Sequence, residues 1–381
     1  MANCNSITLQ SPILITGAGG FVGQNLAANL AAQGYTNLLL FDKDSPAAAL
    51  AEYAGQAQFV FHLAGVNRPT NNTEFYTGNA DLTAQLLGLL QAAGNKAPLV
   101  LTSTTQAGNG TDYAKSKEAA ETAVFAHGQQ NQSDVYVYRL PGVFGKWSRP
   151  NYNTVVATFC HNVANNLPLE IRDPAYPLPL CYIDDVIASF TGVLTGCTPP
   201  PAAGQHMGIN PTTTVTLGQL ASLIQSFKQN RTTLALPNMG DAFTKKLYAT
   251  YLSYLPQSAF SYPLTMHTDE RGSFTEFLRT PERGQVSVNV SKPGIVKGNH
   301  WHNTKNEKFL VVRGSAVIRF RKVGDEEIIE YKVSGEKLEV VDIPTGYTHN
   351  IENVGEGELV TVMWASEPFD PKNPDTYFEK V

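Results

Sequence analysis

Short apolar runs alternate with longer amphipathic stretches through the first two thirds of the chain. The runs have the length of strands, whereas the stretches between them repeat apolar positions every three or four residues, as helices do. Continuous apolar strands separated by helices are typical of a parallel sheet that is covered on both faces. The predicted strands are 13–15, 38–41, 59–61, 99–101 and 135–140, and the predicted helices are 24–33, 74–93 and 114–126. The pattern predicts an α/β fold with a doubly wound parallel sheet.

The pattern changes after Pro256. Helical periodicity still covers 217–227 and 241–254, but the segments that follow are short strands of alternating residues. These strands are 285–290, 309–312 and 316–320. Many short strands joined by glycine turns favour an all-β jelly-roll barrel. We therefore expect two domains, residues 1–256 and residues 257–381.

A glycine-rich turn connects the first predicted strand to the first helix. Gly17, Gly20 and Gly23 are spaced three apart. The first permits a tight turn, the second lets the backbone approach a pyrophosphate, and the third lets the helix pack closely on the sheet. The N-terminus of the helix offers unpaired N–H groups and a partial positive charge to that phosphate. Together with a second strand that ends in Asp42, this arrangement predicts a Rossmann dinucleotide-binding site.

The residues after the second strand leave the choice of cofactor open. Asp42 favours NAD, because a carboxylate accepts hydrogen bonds from a ribose 2′-hydroxyl and repels a 2′-phosphate. The adjacent Lys43 would instead attract that phosphate. Both NADPH and NADH therefore remain as expected cofactors.

Tyr113 and Lys117 are four residues apart at the start of a predicted helix, so they share one helical face. A free phenol has a pKa of about 10, and the Lys117 cation is expected to lower it. Tyr113 would then exchange a proton with a carbonyl oxygen while a nicotinamide moves a hydride. The alternative is an exposed pair on a surface helix. The position of the pair after the strand that ends in Thr104 favours catalysis.

Four ligand-type side chains lie close together in the predicted barrel. His300 and His302 alternate on a strand and so share a face, and Glu307 and His349 lie on strands that can converge with it. Three imidazoles and one carboxylate suit a first-row divalent metal with room for another ligand. We expect zinc, with iron, manganese and nickel as alternatives.

Composition excludes several other classes of function. The formal net charge of -5 gives no basic excess to neutralise nucleic-acid or membrane phosphates. Four scattered cysteines, Cys4, Cys160, Cys181 and Cys197, include no Cys-x-x-Cys pair, so we expect single buried thiols in a reducing cytosol. Neither a signal peptide nor a run long enough to span a bilayer is apparent.

Residues 1 to about 255 resemble an extended short-chain dehydrogenase/reductase. The resemblance implies that Thr104 holds the substrate carbonyl, that Tyr113 is the acid/base and that Lys117 is its partner. It also implies a nucleotide-sugar substrate, for which Asn67, Arg68, Asn153 and Arg172 are candidate contacts. The implied cofactor contacts are Gly17, Gly20, Phe21, Val22, Gly23, Asp42, Lys43, Leu63, Ala64, Gly65, Tyr113, Lys117 and Pro141.

The last third resembles the cupin family through His300-Trp301-His302, Glu307, Gly314 and the segment that ends in His349. Its opening segment, residues 269–276, is also similar to that of nucleotide-sugar 3,5-epimerases, which are cupins that use a histidine base without a metal. Here the metal pattern includes the nearest histidine, His300. Lys308, Tyr347 and Glu276 are the candidate bases.

Over its whole length the chain resembles the bifunctional capsular-polysaccharide enzymes on the route to UDP-N-acetyl-L-fucosamine. The matching stretches include residues 62–69, 144–147, 150–153 and 297–302. The resemblance implies that the cupin epimerises C3 of a UDP-4-keto-6-deoxy-HexNAc. The reductase would then reduce C4 with NADPH to give UDP-N-acetyl-6-deoxy-L-talosamine. The alternative is a single-activity reductase with a structural metal cupin. Because barrel sheets are frequent dimer surfaces, we expect a homodimer.

Overall fold

The computed structural model of the protein describes residues 7–152 and 154–381. It forms two compact units. The first runs to Ile224 and includes Lys246–Leu255, and the second comprises Gln225–Lys245 and Pro256–Val381. The first unit alternates strands and helices, whereas the second consists mainly of antiparallel strands.

A parallel sheet organises the first unit. Its strands are β1 (Ile13–Thr16), β2 (Leu38–Phe41), β3 (Phe59–His62), β4 (Leu99–Thr104), β5 (Val135–Leu140) and β8 (His206–Met207). They are arranged in the order β2-β1-β3-β4-β5-β8, and every pair is parallel. A smaller sheet contains β6 (Gly142–Phe144), β7 (Pro177–Tyr182) and β9 (Thr213–Thr216).

Helices connect these strands and extend into the second unit. They are α1 (Phe21–Ala32), α2 (Ala47–Gln56), α3 (Thr73–Phe75), α4 (Leu82–Ala92), α5 (Asp112–Asn131), α6 (Val155–Ala164), α7 (Ile183–Leu194), α8 (Leu217–Thr233) and α9 (Ala242–Leu252). A π-helical segment, Tyr76–Asp81, joins α3 to α4, and a 3₁₀ turn covers Gln257–Ala259.

The apolar strands are buried on both faces, as their sequences require. In β1, Ile13 and Ile15 belong to one hydrophobic core, whereas Leu14 belongs to the core on the opposite face. Strand β1 lies between β2 and β3, so the chain leaves it toward one side and later returns on the other. Ligands of doubly wound sheets bind at such a reversal, beyond the carboxyl ends of the strands.

Two antiparallel sheets form the barrel of the second unit. One contains β10 (His267–Asp269), β11 (Gly272–Thr280), β12 (Gly284–Ser291), β14 (Glu307–Arg313), β17 (Val340–Ile343) and β19 (Leu359–Ala365). The other contains β13 (Val296–Trp301), β15 (Ser315–Lys322), β16 (Ile328–Ser334), β18 (Tyr347–Asn353) and β20 (Tyr377–Phe378). Residues of both sheets, among them Phe309 and Ile318, form its hydrophobic core.

The predicted fold class is confirmed: a doubly wound parallel sheet is followed by an all-β cupin barrel. The predicted helix over 74–93 is interrupted by the π-helical segment. There the buried Asn79 donates its amide to the Val66 carbonyl and accepts from the Val66 N–H, which binds the segment to the turn after β3.

One expectation about the cysteines is wrong. Cys160 and Cys181 are buried free thiols, but Cys197 is exposed, because it lies in the loop that follows α7. Cys4 lies outside the described residues. Among the helices of residues 7–152 and 154–381, none combines the length and the apolar character that crossing a membrane requires.

Candidate functional site

The glycine turn at the end of β1 packs directly on the turn at the end of β3. Gly17 has a φ of +69°, and a Cβ there would lie 2.7 Å from the Ala64 backbone. A Cβ at Gly23 would lie 2.1 Å from the Gly17 carbonyl oxygen. Both positions therefore require glycine, as the spacing predicts. Within the described part of the chain, no side chain caps the N-terminus of α1 at Gly20, which leaves the N–H groups near Phe21 and Val22 suited to a phosphate.

Asp42 lies against this turn. Its Oδ2 accepts a hydrogen bond from the Gly19 N–H at 2.6 Å, and its Oδ1 accepts from the Lys43 N–H at 2.7 Å. The side chain of Lys43 is exposed. The Asp42 carboxylate thus lies directly on the glycine turn, whereas the Lys43 side chain is exposed to solvent.

Tyr113 and Lys117 lie at the N-terminal end of α5, beside the carboxyl end of β4. The Thr111 hydroxyl caps this helix by accepting a hydrogen bond from the Ala114 N–H at 3.2 Å. Lys117 is buried, and its Nζ donates to the Thr102 carbonyl at 3.1 Å. A Cβ at Gly65 would lie 2.9 Å from that Nζ, so the turn after β3 also borders the pair.

The pKa of Tyr113 does not shift in the expected direction. Burial raises it, and the hydrogen bond with Thr104 opposes the rise only in part. Burial also lowers the pKa of Lys117 to about 8, although Glu121 favours the charged form. Desolvation therefore outweighs the attraction that the sequence suggested. A protonated Tyr113 beside Thr104 is an arrangement that can donate a proton to a carbonyl oxygen.

Three of the four candidate substrate contacts lie among the described residues. The Arg68 guanidinium donates to the Asn151 carbonyl at 3.0 Å, and Asn67 and Arg172 are exposed. Asn153 lies outside the described residues. Leu63 follows β3 directly, and Pro141 follows β5 directly, so both lie at the carboxyl edge of the sheet.

The four predicted ligands converge in the second unit. One ligand atom from each of His300, His302, Glu307 and His349 lies within 4.8 Å of the others. The antiparallel pairing of β13 with β18 places His300 directly opposite His349. Glu307 Oε2 lies 3.5 Å from His302 Nε2 and 3.4 Å from His349 Nε2. Since these distances exceed a hydrogen bond, the atoms surround a point without bonding to each other.

The cluster fits a bound cation. His302 Nε2, His349 Nε2 and Glu307 Oε2 are fully buried, and none has a hydrogen-bond partner among the described residues. Three orphaned polar atoms at one point are costly unless a ligand satisfies them. Burial acts to raise the pKa of Glu307, but His302, His349 and Lys305 hold it below its ordinary value. Burial lowers the pKa of His300 to about 4, so this imidazole is neutral.

Asp375 fixes the loop that begins at His302 and leads to Glu307 at the start of β14. Its carboxylate accepts hydrogen bonds from the N–H groups of Asn303, Thr304 and Lys305 at 2.9, 2.7 and 2.9 Å. Its backbone carbonyl accepts a hydrogen bond from His302 Nδ1. The proton of His302 is therefore on Nδ1, which leaves a lone pair on Nε2 for a metal.

A cavity of about 790 Å³ lies beside the cluster, inside the barrel. Of the three candidate bases, only Glu276 lines it, and Arg279 forms an ion pair with that carboxylate. Lys308 is exposed and bonds to Asp342. The sequence pattern did not predict a role for Asp375, Gln285, Lys297 or Lys305, although the last three also line the cavity.

Each of the two units matches a different protein family. Residues 13–198 match the NAD dependent epimerase/dehydratase family, and residues 267–377 match the polysaccharide biosynthesis C-terminal domain. The chain is 42% identical over 365 residues to a UDP-2-acetamido-2,6-beta-L-arabino-hexul-4-ose reductase of Pseudomonas aeruginosa, covering 96% of this chain and 97% of that protein.

Several solved structures are similar over nearly the whole chain. The capsular polysaccharide assembling protein CapF of Staphylococcus aureus is 49% identical with a TM-score of 0.91, covering 97% of this chain and 100% of that one. CapF with the inhibitor 3-isopropenyl-tropolone is 46% identical with a TM-score of 0.87, at 97% and 100% coverage.

Proposed function

Because the chain belongs to the bifunctional capsular-polysaccharide enzymes that join a short-chain dehydrogenase/reductase to a C-terminal cupin, we propose that it converts a UDP-4-keto-6-deoxy-HexNAc in two steps. Residues 257–381 invert C3, and residues 1–256 then reduce C4 to give UDP-N-acetyl-6-deoxy-L-talosamine. The Pseudomonas aeruginosa relative is named as a reductase of a UDP-linked hexul-4-ose, which supports the keto sugar as substrate.

In the reduction, the glycine turn would hold a reduced nicotinamide cofactor, which would supply the hydride for C4, and the Tyr113 hydroxyl gives its proton to the C4 oxygen. Burial raises the pKa of Tyr113, which keeps that proton on the phenol at neutral pH. Thr104 donates a second hydrogen bond to the carbonyl oxygen in this proposal, and the Lys117 cation stabilises the phenolate that forms. Residues at the carboxyl ends of β1 and β3 would hold the dinucleotide.

In the epimerisation, a base removes the C3 proton, the electron pair moves onto the C4 oxygen, and a proton returns to the opposite face of C3. His300, His302, Glu307 and His349 would hold a divalent ion, which we take to be zinc. Such an ion acts as a Lewis acid toward the carbonyl and so acidifies C3. The three orphaned polar atoms beside a cavity of about 790 Å³ are the observation that carries this proposal.

Exchange of the C3 hydrogen in D₂O tests the epimerase step. The full chain, without nicotinamide, should incorporate deuterium at C3 of the keto sugar, as followed by NMR. Adding NADPH should then yield the reduced sugar. Reduction of the keto sugar without any prior exchange would instead support a single-activity reductase whose cupin is structural.

Asp42 should control the choice between NADH and NADPH. Asp42→Asn keeps an oxygen that can accept from the Gly19 N–H but removes the charge that repels a 2′-phosphate. Two like charges a few ångströms apart at a screened surface cost on the order of 1 kcal/mol. We therefore expect the ratio of kcat/KM for NADPH to that for NADH to rise about fivefold. Asp44→Asn, on an exposed neighbour, should leave the ratio unchanged, and an unchanged ratio in Asp42→Asn contradicts the prediction.

Asp375 should support metal affinity without touching the ion. Asp375→Ala removes the acceptor of three consecutive N–H groups between His302 and Glu307. Loss of such a supporting contact typically weakens metal binding about 10–100-fold. Competition with a chromogenic chelator measures the affinity. Asp370→Ala is the matched control, because Asp370 Oδ1 bonds locally to the Lys372 N–H. Equal zinc affinities for both variants would contradict this role.

A further inference from the structure

Gln285 and Glu307 lie on opposite sides of the cavity floor. In the pairing of β12 with β19, Gln285 is directly opposite Ala365, and in the pairing of β14 with β19, Glu307 is opposite the same alanine. The three side chains therefore share one face of the sheet, and all three line the cavity. Neighbouring strands are about 4.8 Å apart, which separates the Gln285 and Glu307 backbones by about 10 Å. The small Ala365 side chain leaves the space between them open.

The orientation of the Gln285 amide is fixed by its surroundings. Its Oε1 accepts a hydrogen bond from the Phe369 N–H at 2.9 Å. The side chain is buried, with 7% of the residue exposed, so the amide cannot turn freely. In residues 7–152 and 154–381, no protein group accepts from Nε2, and this NH₂ group is left with its two donors at the cavity.

The rest of this strand face is also polar. Gln285, Ser287 and Asn289 alternate toward the cavity and are buried, whereas Val286, Val288 and Val290 face the other way and are only half-buried. The Asn289 amide oxygen already accepts from Lys297 Nζ at 2.7 Å. A buried polar strand face is stable only when its donors find acceptors. Of the donors on this face, the Gln285 amide is the one that lies across β19 from a candidate metal ligand, Glu307.

We propose that the Gln285 NH₂ group donates a hydrogen bond to an oxygen of the keto sugar, on the edge of the sugar opposite the one that faces Glu307 and the histidines. This assignment rests on the proposed epimerase function and adds a substrate-binding residue to it. The contact is made by bound substrate before C3 is deprotonated. Its loss therefore weakens binding of the sugar more than it slows the chemical step.

Two variants separate this role from support of the Phe369 backbone. Gln285→Glu keeps an oxygen that can accept from the Phe369 N–H but has no donor, and Gln285→Met has neither. Thr361→Val is the control, because Thr361 is a buried polar residue of β19 that does not line the cavity. KM and kcat come from C3 deuterium exchange. The dissociation constant comes from the visible spectrum of the cobalt(II)-substituted protein during titration with the keto sugar.

We expect both Gln285 variants to raise KM and the dissociation constant about 10–100-fold, because a buried acceptor loses its donor. We expect kcat to change less than KM in both variants, and their metal content to equal that of the wild type. Thr361→Val should have the KM, kcat and dissociation constant of the wild type. Wild-type values for Gln285→Glu would overturn the proposal, as would loss of binding in Gln285→Met alone. If wild type fails to exchange C3 but the cobalt spectrum still responds to the sugar, the epimerase function fails while the Gln285 contact is still tested. A spectrum that never responds overturns the contact itself.

Discussion

Replacing Tyr113 with phenylalanine should lower the rate of keto-sugar reduction about 10³-fold, since a positioned acid contributes about 10²–10⁴-fold to such a step. Only the hydroxyl is removed, so the ring contact with Phe75 at a centroid distance of 5.5 Å should persist. Oxidation of NADPH at 340 nm in the presence of keto sugar measures the loss. C3 exchange in the same variant should be unchanged, because the proposed epimerase residues lie in the second unit.

Tyr76→Phe is the matched control for Tyr113→Phe. Tyr76 is an exposed tyrosine whose hydroxyl lies 3.5 Å from Asp112, and its loss should leave reduction within about twofold of wild type. In the wild type, the Lys117 cation is present below its pKa of about 8 and is lost above it. Reduction should therefore decline as the pH rises through 8. Undiminished NADPH oxidation in Tyr113→Phe would remove Tyr113 from the mechanism.

The residues of the proposed reductase site that the structure brings together are close to one another in sequence. The glycine spacing specifies a backbone that lacks room for Cβ atoms at Gly17 and Gly23. The four-residue separation of Tyr113 and Lys117 places both on one face of α5. The pKa of Tyr113 was not predictable in the same way, since burial by surrounding elements decides its direction.

The four candidate metal ligands also show how far local sequence can predict a site. His300 lies at the end of β13 and His302 just after it, so the predicted alternation along one strand holds only for His300, which pairs with His349 of β18. By contrast, Asp375 lies 73 residues from the histidine that its carbonyl orients, and nothing in its local sequence indicates that contact. The pairing of β20 with β13 brings these distant segments together, so the residues next to Asp375 carry no signal of the contact.

Gln285 was missed for a different reason. Its strand alternates polar residues with valines, and the usual rule turns valines toward a core. Here the polar residues are buried and the valines are half-buried, because the inner face of β12 borders a cavity. The alternation therefore predicted the strand correctly, but alternation alone does not show which of the two faces is buried.

Removing the bound metal should abolish C3 exchange while leaving the reductase unit folded. His302→Ala combined with His349→Ala deletes two of the four converging ligands, and both residues are 1% exposed. The remaining imidazole and carboxylate are too few for a stable site, so bound zinc should fall to background by elemental analysis. Deuterium incorporation at C3 should then disappear, because nothing at the cluster polarises the carbonyl.

Dialysis of the wild type against a strong chelator gives the same test without creating a buried cavity. Exchange should be lost on chelation and restored when zinc is added back, which separates a metal requirement from misfolding of the double variant. His267→Gln is the matched control, because His267 also lines the cavity but is exposed and outside the cluster. It should keep both zinc and exchange. Exchange that persists in the chelated wild type and in the double variant would show that enolisation proceeds without the cluster, and the cupin would then need a base and an oxyanion site elsewhere in the cavity.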